Sequence, residues 1–396
     1  MQYNILKKNN LIIAAAGSGK TTLLADTALS IESSNILILT YTNANESEIK
    51  KKILETNVSI PANIKTQTWF TFLLGHGVKP YQGGFNEILF DKKIMGMQFV
   101  EGKSGIRSQN SYGYTYWGIE DFEKYFFNSF YQIYSDKLSK FVILANDSSN
   151  GKIIERLENI YAHIFIDEIQ DLAGYDLEFL KLLFKSKISV LLVGDPRQVT
   201  YLTHHAAKHP KYRDGKIKEF VLTECKKCDV NIDELTLSVS HRNNQAICNF
   251  SSLLYPSLES SKACECKKCK EFETEHSGIW IVKEEDLESY KNLYPQLIIL
   301  KSKNSIAPEW NYGKSKGLGF DRVLIYPTEP IRKYLKDGLL KKNVKEKVAD
   351  AFEIAKFYVA ITRARYSVGI VYNYNEADTF IAGIQKWVSE KLMPPI

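Results

Sequence analysis

Short apolar runs alternate with segments of helical spacing along most of the chain. LIIAAA (11–16) is a strand-length run that leads into a glycine turn and then into TTLLADTALSI, whose apolar positions recur at helical intervals. NILILTYTN (35–43) predicts a second strand, ANESEIKKKILE (44–55) a polar helix, and IKTQTWFTFLL (64–74) a further apolar stretch. The same rhythm resumes at YAHIFIDEIQDL (161–172) and SVLLVGDPRQ (189–198), two apolar runs that each end in acidic residues. Further strands are expected at ELTLSVSHR (234–242), QLIIL (296–300), DRVLIYP (321–327) and YSVGIVY (366–372), with one basic helical segment over 332–357. Strand–helix alternation of this kind predicts an α/β protein with parallel sheets covered on both faces.

Residues 75–150 break the rhythm. They are rich in Gly, Ser, Tyr and Phe, and GKSGIRSQNSYGYTYWG (102–118) is their most turn-like part, so the segment reads as an insertion. The expected domains are 1–235, carrying that insertion, and 236–396.

With 396 residues, 44% of them hydrophobic, the chain can bury sizeable cores. A formal charge of +6 permits a polyanion partner without demanding one. The N-terminus lacks the apolar run of an export signal, and no stretch approaches the ~18 apolar residues of a membrane span. A cytoplasmic protein with no membrane partner is expected. The six cysteines all fall between Cys225 and Cys269, which argues against a distributed disulfide framework.

The glycine turn carries the first chemistry. In a phosphate-binding loop, backbone N–H groups and a helix N-terminus cradle phosphates, a lysine neutralises them and a hydroxyl faces Mg²⁺. Here Gly17 and Gly19 would wrap the phosphates, with Lys20 as the cation and Thr21 as the metal-facing hydroxyl. The usual first glycine is replaced by Ala14, which is tolerable at a strand end if its φ stays negative. Residues Ala14, Ala15, Ala16, Gly17, Ser18, Gly19, Lys20, Thr21 and Thr22 form the candidate nucleotide cradle. Such a loop needs an acidic strand end beside it. IFIDEIQDL offers Asp167 to hold Mg²⁺ and Glu168 to polarise the attacking water.

The ordered set AAAGSGKT (14–21), TYTNAN (40–45), TQTWF (66–70), IDEIQD (166–171), GDPRQ (194–198), SHRNN (240–244), SKGLGFD (315–321) and YVAITRAR (358–365) resembles the motif series of the UvrD/Rep/PcrA branch of superfamily 1 helicases. That branch places alanine where Ala14 stands. The resemblance implies two RecA-like domains, ATP hydrolysed in the cleft between them, and 3′–5′ movement along single-stranded DNA. It makes Gln198 a γ-phosphate sensor and Arg242 and Arg363 arginine fingers. Gln2 would read adenine. His241 stands where relatives usually carry a base-stacking tyrosine, and Gly317 falls in a nucleotide-contacting loop. Gly319 replaces the family's usual glutamate, which puts the ribose contact in doubt. Thr42, Asn43, Thr68, Trp69 and Tyr201 fall where relatives touch the DNA strand, with Trp69 open to a second reading as core.

The gap between SHRNN and SKGLGFD is too short for the large second insertion of bigger relatives, so a stripped motor is expected. Compact relatives of this kind occur beside nucleases in anti-phage systems such as Gabija, which implies a nuclease subunit as a partner. A rival reading is a nucleotide-gated, DNA-sensing subunit that does not unwind. CKKC (225–228) and CECKKC (264–269) offer a zinc set of Cys225, Cys228, Cys266 and Cys269, with Cys264 as a substitute; reduced cysteines in lysine-rich loops are the other reading.

Overall fold

The computed structural model describes residues 8–111, 113–200, 208–270, 274–338 and 347–389. They form two compact units. One comprises described residues up to 12, 20–194 and on to 233; the other comprises 13–19, 195–200 and those from 234 onward.

In the first unit, β1 (Asn9–Ile13), β2 (Ile36–Thr40), β3 (Ile64–Thr68), β4 (His163–Ile166), β5 (Ser189–Gly194) and β6 (Val230–Asp233) form one sheet in the order β6-β1-β5-β4-β2-β3. The pairs β1–β6, β2–β3, β2–β4 and β4–β5 are parallel. Every residue of β1 and β2 is buried, as expected of strands covered on both faces. Helices α1 (Lys20–Leu29) and α2 (Asn43–Asn57) follow their strands directly. Thr42 caps α2 by accepting from the Asn45 N–H.

The insertion builds a small aromatic core of its own. Phe85, Phe122, Phe126 and Phe127 pack against Phe141 of α3 (Leu138–Ser148), with ring centroids 4.8 Å apart for Phe85 and Phe141. Its hairpin, Ile106–Asn110 with Gly113–Tyr116, is antiparallel and mostly exposed. Much of the chain's aromatic richness is therefore structural. Helix α4 (Tyr175–Lys185) lies between β4 and β5 in the chain.

In the second unit, β7 (Val239–Ser240) and β8 (Lys262–Ala263) pair as a short parallel ribbon. The main sheet consists of β9 (Gly278–Val282), β10 (Leu297–Lys301), β11 (Trp310–Asn311), β12 (Phe320–Tyr326), β13 (Ala364–Val371) and β14 (Ile384–Lys386), in the order β11-β10-β12-β13-β9-β14, with every neighbouring pair parallel. Helices α5 (Gln245–Leu253) and α6 (Lys347–Ile361) contribute Ile247, Phe250, Phe357, Tyr358 and Ile361 to its core. The described residues thus form an α/β protein with two parallel six-stranded sheets, one in each unit. The expected single helix over 332–357 is broken: the helix Glu329–Asp337 ends at Gly338, which is left-handed at φ 64° and donates to Tyr334 O. This is the usual glycine C-cap. The expected strand at 234–242 contracts to Val239–Ser240, and β6 arises upstream of it. Among the described residues no helix is long and apolar enough to cross a membrane.

Candidate active site

The phosphate loop leaves β1 at Ile13 and enters α1 at Lys20. Gly17 and Gly19 have φ of 72° and 88°, values that glycine adopts without the steric cost other residues meet. The loop backbone is held by the β7 end. Ala15 N–H donates to Leu237 O (2.7 Å), Ser240 Oγ donates to Ala16 O (2.7 Å), and His241 N–H donates to Gly17 O (2.9 Å). Arg197 Nη1 donates to Ala14 O at 3.3 Å, so the departure at Ala14 is absorbed by a buried strand end. The Ser18 hydroxyl is buried with no hydrogen-bond partner. Leaving a hydroxyl so costs about 1–3 kcal/mol unless a ligand takes it up, and an anion at the start of α1 fits that need. The first turn of α1 carries no acidic side chain, which leaves its positive end uncompensated. Thr21 and Thr22 occupy its next two positions, half-buried and exposed.

At the end of β4 the two acids take different backbone conformations. Asp167 donates its N–H to Leu39 O (2.9 Å), and its carboxylate accepts the Glu168 N–H at 2.9 Å. Glu168 is left-handed at φ 53° and accepts from the Gln170 amide. Burial first, and Glu168 second, push the Asp167 carboxyl up to about 7, while Lys20 opposes them. A carboxyl in that state is short of positive charge, so the acids fit a divalent cation. Gly194 closes β5 where a Cβ would lie 2.3 Å from Gln170 Oε1 and 2.7 Å from Ile169 Cγ2.

In the second unit, Gln198 donates to Asp195 Oδ2 (2.9 Å), which also accepts from the Tyr358 hydroxyl (3.1 Å), while Arg197 pairs with Asp195 Oδ1 at 3.1 Å. Arg242 runs beside Gly17 and donates to Thr362 O and Gly317 O, both at 3.4 Å. Gly319 is the space Arg242 occupies: a Cβ there would lie 3.2 Å from Arg242 Nε. Arg363 is held within the second unit. It is 1% exposed and donates from Nε to Val359 O (2.9 Å) and from Nη1 to Leu318 O (3.0 Å). Its guanidinium is engaged with the backbone that carries Gly317 (φ 88°).

Thr42 and Asn43 are exposed at the start of α2. Thr68 is buried and caps the next helical turn by accepting from Thr71 N–H. Trp69 takes the core position that was the second of its two readings. It is 1% exposed and donates from Nε1 to Asp176 Oδ1 at 2.8 Å, so its ring has no face to offer a base. Gln2 and Tyr201 lie outside the described residues.

The four cysteines of the expected set fall in both units, Cys266 and Cys269 in the second. Cys225 and Cys228 are buried in the first unit, with Cys225 at the C-cap of the helix Ile217–Glu224 and pushed up to about 12 by burial. The group of ligand-type atoms that does converge, among the described residues, is His241, Cys264 and Cys269 in the second unit. Nothing in the linear pattern marks Ser240, Asn243 and Tyr358 as supports of the site. Asn243 Nδ2 donates to Thr362 O and Ala364 O, stapling the SHRNN turn to the TRAR turn. Their one signal is membership of the motif series, Ser240 and Asn243 in SHRNN and Tyr358 in YVAITRAR.

Residues 1–204 match the family AAA_19, described as an AAA domain. That is just over half of the 396 residues, and the chain belongs to this family. The likeness to superfamily 1 helicases drawn from the motif series stands with it. A stretch of 100 residues is 26% identical to the RecBCD enzyme subunit RecB of Borreliella burgdorferi, covering 25% of this chain and 8% of that protein. Among solved structures, the chain is similar to the arterivirus nonstructural protein 10 helicase (14% identity, TM-score 0.45, 94% of this chain and 62% of that one). It is likewise similar to the PRRSV helicase (14%, 0.43, 94% and 54%). The chain thus spans less than two thirds of each of these relatives.

Proposed function

We propose that the protein is an ATP hydrolase that moves 3′–5′ along single-stranded DNA and acts as a helicase. The observation that carries this reading is that Lys20, at the head of the phosphate loop's helix, lies in the same unit as Asp167 and offsets its charge, with Glu168 adjacent to it. Membership of the AAA domain family supports it.

In this reading the loop N–H groups, the Ser18 hydroxyl and Lys20 bind the β and γ phosphates. Thr21 and Asp167 hold Mg²⁺, which supplies positive charge to those phosphates when bound. Glu168 polarises water, Gln198 reports the γ phosphate through Asp195, and Arg242 neutralises charge that develops on the transferring phosphoryl group. Arg363 is a positioning residue. Thr42 and Asn43, exposed at the start of α2, contact the DNA backbone.

A second reading is supported by the RecB match, a protein named as one subunit of a larger enzyme: a DNA-sensing ATPase subunit of a nuclease or defence complex that does not unwind alone. Steady-state ATP hydrolysis with and without single-stranded DNA, run beside strand displacement on a tailed duplex, separates the two. Turnover with displacement supports the helicase, and turnover without it the subunit. DNA-independent turnover, or robust turnover by Glu168→Gln, removes both.

A further inference from the structure

The Cys-rich loop that follows β8 is not used by the proposed ATPase, yet it closes on the same turn that carries Arg242. His241 Nδ1 lies 3.8 Å from Cys269 Sγ, and one ligand atom from each of His241, Cys264 and Cys269 lies within 4.8 Å of the others. Cys266 lies between Cys264 and Cys269 in the same short loop, where the Cys269 N–H donates to the Cys266 carbonyl at 3.0 Å and turns the loop back on itself.

We infer that His241, Cys264 and Cys269, whose ligand atoms already converge, take Cys266 of the same loop as their fourth partner and form a Cys₃His site for a zinc-class divalent cation. Bond lengths of about 2.3 Å to sulfur and 2.0–2.1 Å to nitrogen, opened at a tetrahedral angle, separate a ligating sulfur and nitrogen by about 3.6 Å. The observed 3.8 Å is close to that edge. Four soft or borderline ligands without an oxygen donor select zinc over magnesium or calcium. The C-x-C-x₂-C spacing supplies three of the ligands from one short loop, and the β7–β8 ribbon brings in the fourth. That ribbon is registered by Ser240 against Ala263 and by the Cys264 N–H to Ser240 O bond at 2.8 Å. Loading transfers the three thiol protons to solvent as the thiolates bind the ion.

The site also reassigns His241. A ring that ligates through Nδ1 is fixed beside the metal and is not free to stack on a base. Its backbone N–H donates to Gly17 O and its neighbour Arg242 packs on Gly17. The ion would therefore brace the wall of the phosphate loop. The metal assignment itself does not depend on the proposed ATPase activity.

The test is metal analysis and zinc-edge X-ray absorption on the full chain purified under reducing conditions without chelator. The expected result is about one zinc per chain with three sulfurs at about 2.3 Å and one nitrogen at about 2.0–2.1 Å. Cys264→Ser with Cys269→Ser should lose the ion, Cys225→Ser with Cys228→Ser should keep it, and His241→Ala should surrender it to a chelator that leaves the unaltered protein loaded. Metal-free protein, a four-sulfur shell, a shell of oxygen and nitrogen alone, or zinc retained by the Cys264/Cys269 double variant would each overturn the assignment. The absorption measurement on the unaltered chain decides even if the variants fail to fold.

Discussion

Gly17 and Arg242 are packed so closely that a Cβ on the glycine would stand 2.6 Å from the arginine's own Cβ and 2.9 Å from Ser240 Oγ. The glycine is therefore required twice, once by its φ of 72° and once by its neighbour. Gly19 is required only by its φ of 88°, because nothing lies within 4 Å of where its Cβ would be. Gly17→Ala should cost about 2–4 kcal/mol, the left-handed penalty plus overpacking. Gly19→Ala should cost about 1–2 kcal/mol. Denaturant midpoints of the two variants check this, and equal midpoints would show that the Arg242 contact is not tight.

Asp167 predicts a pH dependence. Its carboxyl rises from 3.8 to about 7 on folding, so the folded chain keeps a proton that the unfolded chain has lost. Stability from this group is therefore greatest below about pH 4, falls as pH rises toward 7, and is constant above that. Asp167→Asn removes the fall and can still accept the Glu168 N–H. The melting temperature of the variant relative to the unaltered protein, without nucleotide, should climb between pH 4 and 7 and then level off. A pH-independent difference would contradict the buried, uncompensated acid.

The two arginines should separate. Arg242→Ala is expected to lower ATP turnover by about 10³-fold, the scale of an arginine finger, with little change in melting temperature. Arg363→Ala should instead destabilise by about 3 kcal/mol or more, since it strips charged donors from several buried carbonyls. Thermal melts beside turnover decide the matter. A stable Arg363→Ala protein that has lost only turnover would restore Arg363 as a finger.

Trp69→Phe should cost roughly 2–4 kcal/mol, from the lost bond to the buried Asp176 carboxylate and the smaller ring. Affinity for single-stranded DNA should stay unchanged, as measured by fluorescence anisotropy in conditions where the variant is folded. A selective loss of DNA affinity would return the indole to the strand path.

Much of the α/β framework was legible because buried parallel strands are largely continuous apolar runs: β2, β4 and β5 each lie inside a run visible in the sequence, and β1 shares residues 11–13 with one but begins two residues earlier, at the buried Asn9 and Asn10. The edge strand β6 and the broken helix near Gly338 were not, since neither has a strong period of its own. Of the site, the loop and the acids were readable because phosphate and metal chemistry demands fixed residue types at fixed spacing. The same spacing was silent on side-chain direction. Trp69 and Arg363 occupy familiar slots in a motif series, and only their neighbours, Asp176 and the carbonyls of Val359 and Leu318, turn them inward. The cysteines make the same point. A C-x₂-C pair can be recognised in a line of letters, but which pair meets a histidine depends on which strands register.

By itself the sequence determined most of the strand–helix alternation, the glycine loop with its lysine, and the acidic pair, because each is local and set by backbone geometry or ligand chemistry. Tertiary structure alone decided that Ser240 and Arg242 wall the phosphate loop, that Arg363 and Trp69 are buried, and that His241 joins the second cysteine cluster. Those outcomes depend on contacts between segments far apart in the chain, and only packing can set such contacts.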